Sequence, residues 1–292
     1  MPSNVEIKHM EKALLLFFSF SLFLSTNCYS QSQKGFLPNK CSYTVLSQPS
    51  RVTKSAQLVF GNSLRFPFLF TDGTMVMVSN DEIKNPVIFS LPEEIKDSEE
   101  VFFIDSLLIC KYGRTIKSFN GEDVDDLVSM ADEQYNIYPA NDGFFYLVEH
   151  NTNSSLVYLV KASTGDFSKL FDAPFVIDII AGTGPKSYVT SGEMIYFVSK
   201  EVCTLVEVAD SEVQSLDFYS NGAFYSTEQA CYYLGLPGKS YPFLLDDVKQ
   251  VMFVDNRLYL LFSDGLLSVI DHADQYQAFL DEVVVEVNKL KK

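Results

Sequence analysis

One unit recurs along the chain: a short apolar strand, a tight turn carrying Asp, Asn, Ser or Gly, and a second apolar strand. Its two clearest copies are Phe103–Phe119 (FIDSLLICKYGRTIKSF) and Phe253–Asp271 (FVDNRLYLLFSDGLLSVID). A repeated unit of this kind cannot bury its apolar faces alone, so neighbouring copies must stack against one another. The repeat therefore constrains the fold more strongly than any other feature of the sequence.

Six places along the chain fit the unit. Their first turn residues are separated by 33, 37, 49, 30 and 34 residues, about 37 on average. Turns of this type favour Gly because it takes a positive φ without steric cost. The long interval is expected to contain an insertion that lengthens one hairpin, His150–Phe167. The six turn residues are Asp72, Asp105, Asp142, Ser191, Asn221 and Asp255.

The spacing predicts an all-β fold, a six-bladed β-propeller over residues 31–279. Four short strands fill about 37 residues, and a propeller blade is a four-stranded sheet. Residues Ser42–Leu46 and Ala56–Phe60 are expected to supply strands that close the ring. A propeller of five or seven blades is an alternative. A pair of β-sandwiches is another, since short strands at regular spacing occur in sandwiches and in propellers.

The repeat resembles that of secreted six-bladed propellers in the broad NHL/TolB-like group. The resemblance covers nearly all of the chain after residue 30, but it is a pattern of hairpins and not a motif of named residues. The signatures of WD40, kelch and sialidase blades are absent, and the chain has no Trp. The resemblance thus implies a fold and carries over no family's functional residues.

The first 30 residues are predicted to be a signal peptide. Lys8 and Lys12 precede the uncharged apolar run Ala13–Leu24, and small residues suggest cleavage after Ser30. The run is too short to span a bilayer, and the mature chain contains no apolar run that is long enough to do so. We therefore expect an exported protein that is periplasmic, envelope-associated or secreted. Lipid anchoring at Cys28 is a disfavoured alternative, because the residues before it match a lipoprotein signal poorly.

The C-terminal residues 280–292 depart from the repeat and are predicted to form a short amphipathic helix. Their apolar residues fall at helical spacing, and lysines end the segment. Because several valines also alternate, a strand is the alternative reading. The apolar residues are Leu280, Val283, Val284, Val287 and Leu290.

The composition limits the classes of partner. The formal net charge is −16, and such a surface repels nucleic acid. The 25 Phe and 16 Tyr residues suit half-buried β-sheet surfaces. The acidic runs Pro92–Glu100 and Gly121–Asp126 are expected to be solvated loops. Asp123, Asp125 and Asp126 lack the residue order of a calcium-binding EF-hand loop.

No motif in the sequence predicts catalysis, so we assign no catalytic residue, no metal ligand and no cofactor, and the binding residues are unknown. His150 and His272 stand far apart in polar turns, and no G-x-S-x-G elbow occurs. The Gly-rich segment Ala181–Ser187 lacks the spacing of a phosphate-binding loop and is predicted to be a turn between blades. Cys41, Cys110, Cys203 and Cys231 allow three disulfide pairings, but buried free thiols are favoured because Cys110, Cys203 and Cys231 lie in apolar strand-like runs. No C-x-x-C pair exists, so we expect no structural zinc site.

These observations favour an exported, non-catalytic binding or scaffold protein that engages a protein or glycan partner in the envelope or outside the cell. The binding face is expected to lie on loops rich in tyrosine, such as Tyr135–Tyr138 and Tyr219–Tyr225, because tyrosine makes rigid amphipathic contacts. The alternative is a glycan-active hydrolase or lyase with two carboxylates about 5–9.5 Å apart at the channel mouth.

Overall fold

The computed structural model describes residues 33–34, 42–45, 57–59, 68–71, 73–77, 88–219, 222–235, 239–244, 247–254 and 257–270. These residues form 25 β-strands and no helix, which confirms the all-β prediction. The strands are β1 Gln33–Lys34, β2 Ser42–Val45, β3 Gln57–Val59, β4 Phe68–Thr71, β5 Thr74–Met77, β6 Ile88–Ser90, β7 Glu100–Ile104, β8 Leu107–Tyr112, β9 Thr115–Phe119, β10 Val124–Ser129, β11 Tyr135–Pro139, β12 Phe144–His150, β13 Ser155–Lys161, β14 Phe167–Ala173, β15 Ile179–Gly182, β16 Lys186–Ser191, β17 Met194–Ser199, β18 Val202–Val208, β19 Ser215–Tyr219, β20 Gly222–Ser226, β21 Cys231–Gly235, β22 Lys239–Leu244, β23 Val248–Val254, β24 Arg257–Phe262 and β25 Leu267–Ile270.

The strands assemble into six antiparallel sheets. Sheets I to V each contain four strands in chain order: β3–β6, β7–β10, β11–β14, β15–β18 and β19–β22. Sheet VI has the order β1-β2-β25-β24-β23, with Thr44 of β2 opposite Val269 of β25. A strand from the start of the chain therefore completes the last sheet, as predicted for Ser42–Leu46. The second predicted closing segment, Ala56–Phe60, instead supplies the first strand of sheet I.

The first strands of the sheets form a closed ring. Each of β3, β7, β11, β15 and β19 contacts the first strand of the next sheet, and β23 contacts β3. Blades that pack side by side around an axis in this way define a β-propeller, and they exclude a pair of β-sandwiches. The described residues form six sheets, and the count of six blades for the whole chain stays a prediction.

The core lies between neighbouring sheets. Phe102 of sheet II packs on Phe145 of sheet III with ring centroids 5.9 Å apart, and Tyr188 of sheet IV lies 6.0 Å from Phe218 of sheet V. Because a middle strand is covered on both faces, its residues are apolar without alternation. In β24, every residue from Leu258 to Phe262 is buried.

The two segments that revealed the repeat occupy equivalent places in their sheets. Phe103–Phe119 spans the end of β7 with β8 and β9, and Phe253–Asp271 spans the end of β23 with β24 and β25. Both are therefore the first three strands of a blade, and the repeat identified from them is confirmed as a structural unit.

The predicted insertion is wrong. Asp142 lies between the first and second strands of sheet III, whereas Ser191 ends the second strand of sheet IV. The 49-residue interval between them spans one blade plus one additional strand, and His150–Phe167 forms ordinary strands. The two turns have the same chemistry, since Asp142 and Gly192 both have a φ of 58°. A turn motif therefore cannot tell the two hairpins of a blade apart.

Cys110, Cys203 and Cys231 are free thiols, as expected, but only Cys110 and Cys231 are buried, and Cys203 is partly exposed. Burial raises the pKa of Cys110 to about 12. Several predictions fall on residues outside the described ranges: the signal peptide, Cys28, Cys41, His272 and the C-terminal helix. Within the described ranges, no helix is long and apolar enough to cross a membrane.

Candidate functional site in the central channel

The first strands of all six sheets enclose a central channel. The cavity has a volume of about 500 Å³ and lies between β3, β7, β11, β15, β19 and β23. Its walls combine backbone and apolar groups with amides, three carboxylates and Lys249. The carboxylates belong to Glu100, Asp178 and Asp217. A large concave cavity with a few converging polar groups is the natural candidate for a binding site.

Glu100 begins β7 in sheet II and reaches across to sheet III. The backbone nitrogen of Ile137 donates to its Oε2 at 2.7 Å. Lys111 Nζ lies 3.7 Å from Oε1, and the Asn136 amide, in the orientation that satisfies its neighbours, donates to the same oxygen at 3.1 Å. Burial raises the pKa of Glu100, and these donors only partly offset the cost of removing its charge from water.

Asp217 in β19 links sheets V and VI in the same way. Its carboxylate accepts hydrogen bonds from the backbone nitrogens of Phe253, in β23, and of Phe218. Two residues earlier, Ser215 Oγ accepts a hydrogen bond from the Val251 nitrogen at 3.0 Å. Burial is the largest influence on the Asp217 carboxyl and raises its pKa from 3.8 to about 7.

Asp178 immediately precedes β15 and ties sheet IV to sheet III. Its carboxylate accepts a hydrogen bond from the backbone nitrogen of Gly192, in the turn between β16 and β17. Its backbone carbonyl accepts one from the hydroxyl of Tyr138, which lines the channel from β11. Burial raises the pKa of Tyr138 far above its ordinary value, so the hydroxyl remains a neutral donor.

Gln250 in β23 closes the ring between sheets VI and I. Its Oε1 accepts from the Leu58 nitrogen at 2.7 Å, and its Nε2 donates to the Leu58 carbonyl at 2.8 Å. The neighbouring Lys249 also lines the channel, and burial lowers its pKa. Of the side chains that bond the first strand of the next sheet, we call Glu100, Asp217 and Gln250 the latch residues.

The tyrosine-rich segments are not the loops that the sequence predicted. Tyr135–Tyr138 lies within β11, where Tyr135 is buried and its hydroxyl donates to the Gly113 carbonyl at 2.9 Å. In Tyr219–Tyr225, Tyr219 ends β19 and Tyr225 is buried in β20. Pleated strands hide aromatic side chains between blades, so tyrosine content does not mark a loop. Among these tyrosines, only Tyr138 lines the channel.

The acidic runs divide between surface and channel. Glu93 and Glu94 lie exposed in turns, as expected, but Glu100 at the end of the same run begins an innermost strand. The run Gly121–Asp126 forms a turn and the exposed start of β10, where Asp126 pairs with Lys117 at 3.1 Å. Within the described part of the chain, no three His, Cys, Asp or Glu side chains are arranged to hold a metal ion.

The glycine-rich segment Ala181–Ser187 connects β15 to β16 inside sheet IV, so the predicted turn between blades is wrong. The segment is held by Tyr146 of sheet III, whose hydroxyl accepts from the Gly184 nitrogen at 2.8 Å. His150 ends β12, and its Nδ1 lies 3.3 Å from Ser155 Oγ. Burial lowers the pKa of His150, which does not line the channel.

Known structures share this architecture, and they place the chain in the structural class of β-propellers. A gluconolactonase, XC5397 from Xanthomonas campestris, matches with a TM-score of 0.55 and 10% identity over 84% of this chain and 95% of that chain. The WD40 β-propeller domain of Doa1 matches with a TM-score of 0.53 and 11% identity over 83% and 94%.

PorZ, a surface component of the type-IX secretion system of Porphyromonas gingivalis, matches with a TM-score of 0.50 and 13% identity over 77% of this chain. This chain covers only 37% of the PorZ chain. At such identities the likeness shows the fold alone. No protein-family model matches the sequence, and neither does any curated protein.

Proposed function

We propose that this chain is an exported, non-catalytic β-propeller that binds a protein or glycan partner at its central channel. One observation carries the proposal: each of the three channel carboxylates already accepts a backbone N–H hydrogen bond. The acids therefore fasten the structure together, while a cavity of about 500 Å³ stays available for a ligand group. Export is supported by the pattern of residues 1–30, and PorZ is an example of a related fold in a bacterial surface component.

The channel lining favours a polar partner group over a purely apolar one. Gln57, Asn141 and Gln214 offer amide groups, and Tyr138 and Phe218 offer aromatic surface. Amides beside aromatic rings suit the hydroxyls and apolar faces of a sugar, and they suit the side chains of an inserted protein loop.

The test compares two charge-adding variants of the mature chain, residues 31–292. Gln214→Arg places a bulky cation in the channel, whereas Gln229→Arg places it on an exposed surface outside the channel. Each protein is immobilised and incubated with an envelope extract, and the retained proteins and glycans are quantified by mass spectrometry. We expect a stoichiometric partner that the wild type and Gln229→Arg retain and that Gln214→Arg loses. A partner retained equally by all three proteins would contradict binding at the channel.

A second candidate is the glycan-active hydrolase or lyase, and the pKa of Asp217 favours it. A carboxyl group with a pKa of about 7 is suited to act as a general acid near neutral pH, and Glu100 shares the channel. The gluconolactonase among the similar folds adds lactones to the substrates worth testing. The wild type can be tested for turnover of polysaccharides and lactones. If it turns one over, and Asp217→Asn abolishes this turnover without lowering Tm, the protein is an enzyme and the proposal of a non-catalytic binding protein is wrong.

A further inference from the structure

An apolar patch lies on the outer rim of sheet IV, far along the blade from the channel strand. The strand register pairs Met194 with Val208, Tyr196 with Leu205 and Val198 with Cys203. Because Met194, Tyr196 and Val198 alternate along β17, these pairs share one face of the sheet. Met194 is 36% exposed, Leu205 50% and Val208 52%. We call Met194, Tyr196, Cys203, Leu205 and Val208 the rim patch.

The rim patch continues onto the neighbouring blade. Phe175, which follows sheet III, stacks on Tyr196 with ring centroids 4.3 Å apart. Of the six most exposed large apolar side chains in the described ranges, three, Met194, Leu205 and Val208, belong to the rim patch. β18 is also the last strand of its sheet. Contiguous exposed apolar surface on an outermost strand marks a contact site.

The charged residues around the rim patch indicate which charge a segment bound there should carry. Glu193 and Glu212 are exposed next to its Met194–Val208 end, where the Asp210 carboxylate accepts a hydrogen bond from the Tyr232 hydroxyl of sheet V, and Lys200 is exposed at the opposite end. The sequence contains no Lys or Arg between Lys200 and Lys239. An occupant should therefore combine an apolar stripe with positive charge at one end.

We propose that the chain's own C-terminal segment, residues 280–292, covers the rim patch. This segment has apolar residues at helical spacing followed by Lys289, Lys291 and Lys292, which matches the apolar surface and its acidic border. β25 ends at Ile270, so the nine residues 271–279 form a tether that reaches about 30 Å when extended, and a helix of 13 residues adds about 20 Å. The tether also raises the local concentration of the segment over that of a separate partner.

The proposal concerns the rim and is independent of the channel. A helix of about 13 residues is marginal in isolation, so it needs an apolar surface to pack against. The rim patch supplies such a surface on the same molecule.

The test uses Cys203, which belongs to the rim patch, as a reporter of coverage. Two proteins are prepared, residues 31–292 and residues 31–279, both with Cys41→Ser. Cys110 and Cys231 are fully buried and serve as internal references for intact folding. Removing the segment is expected to raise the rate of maleimide labelling at Cys203 about tenfold, since labelling then needs no undocking step. A synthetic peptide of residues 280–292 should slow labelling of the shorter protein.

Two matched variants of the longer protein locate the contact. Leu205→Lys alters the rim patch, whereas Val202→Lys adds the same charge on the opposite face of β18. We expect fast labelling of Cys203 in Leu205→Lys and slow labelling in Val202→Lys. If the shorter protein fails to fold, Val284→Asp with Val287→Asp in the full-length mature chain replaces it, and fast labelling is again expected.

Two results would overturn the proposal. Equal labelling rates at Cys203 with and without residues 280–292 would mean that the segment leaves the patch open. A dimer in sedimentation equilibrium that Leu205→Lys converts to a monomer, while truncation does not, would assign the patch to a second copy of the chain.

Discussion

The latch residue Asp217 should make the stability of this protein decrease with rising pH over a defined range. Its carboxyl is held between sheets V and VI with a pKa of about 7, against 3.8 when unperturbed. The native state therefore keeps this proton at pH values where the unfolded chain has lost it. Because the native state binds more protons, the free energy of unfolding falls as pH rises from about 4 to about 7.

The magnitude follows from the pKa difference. A shift from 3.8 to about 7 corresponds to about 4 kcal/mol over the full range, and most of the loss, about 2–3 kcal/mol, falls between about pH 5 and pH 8. Asp217→Asn removes the titration and keeps an oxygen that can accept the hydrogen bond from the Phe253 nitrogen. The variant should therefore gain about 2–3 kcal/mol relative to the wild type between these pH values.

Urea unfolding of the mature chain at pH 5 and pH 8, followed by far-ultraviolet circular dichroism, measures this difference. Other carboxyl groups affect both proteins equally, so the comparison between wild type and variant isolates Asp217. Asp125→Asn, which removes one carboxyl group at an exposed position in the outermost strand β10, is the matched control. If wild type and Asp217→Asn keep a constant stability difference from pH 5 to pH 8, Asp217 does not titrate as the structure implies.

Three further predictions concern the ring and its turns. Gln250→Ala removes both hydrogen bonds to Leu58 at the closing boundary and should cost about 1–3 kcal/mol in urea unfolding, because a part-buried N–H and C=O lose their partner. Gly165→Ala should destabilise the protein more than Gly121→Ala. Both positions have positive φ, but an added Cβ would lie 2.4 Å from a backbone oxygen only at the former, and a comparison of melting temperatures tests this. Deletion of Asp281–Lys292 should leave the β-sheet circular dichroism signal and a cooperative melting transition in place, because β2 completes the last sheet, and should lower the melting temperature only slightly through loss of the docked segment; global unfolding would show that the segment is part of the core.

The fold was predictable because the middle strands of each blade have an unusual sequence. Leu107–Cys110 and Leu258–Phe262 are apolar runs without alternation, since neighbouring blades cover both of their faces. The position of each strand within its blade was less predictable. Asp105 and Ser191 stand at different hairpins of their blades, and both hairpins use the same turn chemistry. Counting turn residues therefore identified the repeat, but it did not assign each turn to the correct hairpin of its blade.

The latch residues could not be found by residue type. Each bonds a backbone group, and every strand offers such groups, so no partner side chain reveals them. Their spacing is the one available signal. Glu100 and Ile137 are 37 residues apart, and Asp217 and Phe253 are 36 apart, which is close to one repeat. In this propeller the first strand of one repeat lies beside the first strand of the next, so the spacing can be interpreted only when the fold is known.

Substitutions of Glu100 and Asp217 distinguish the two proposed functions, partner binding and catalysis. If Glu100 and Asp217 act as latches, Glu100→Gln and Asp217→Asn keep an oxygen acceptor and should change stability, but they should leave ligand binding at the channel intact. If the carboxyl groups act as acid and base in catalysis, the same substitutions should abolish turnover while the fold persists. The hydrogen bonds from Ile137 and Phe253 each occupy one carboxylate oxygen, which favours the first outcome. Stability and function measured on the same pair of variants therefore decide between a binding propeller and an enzyme.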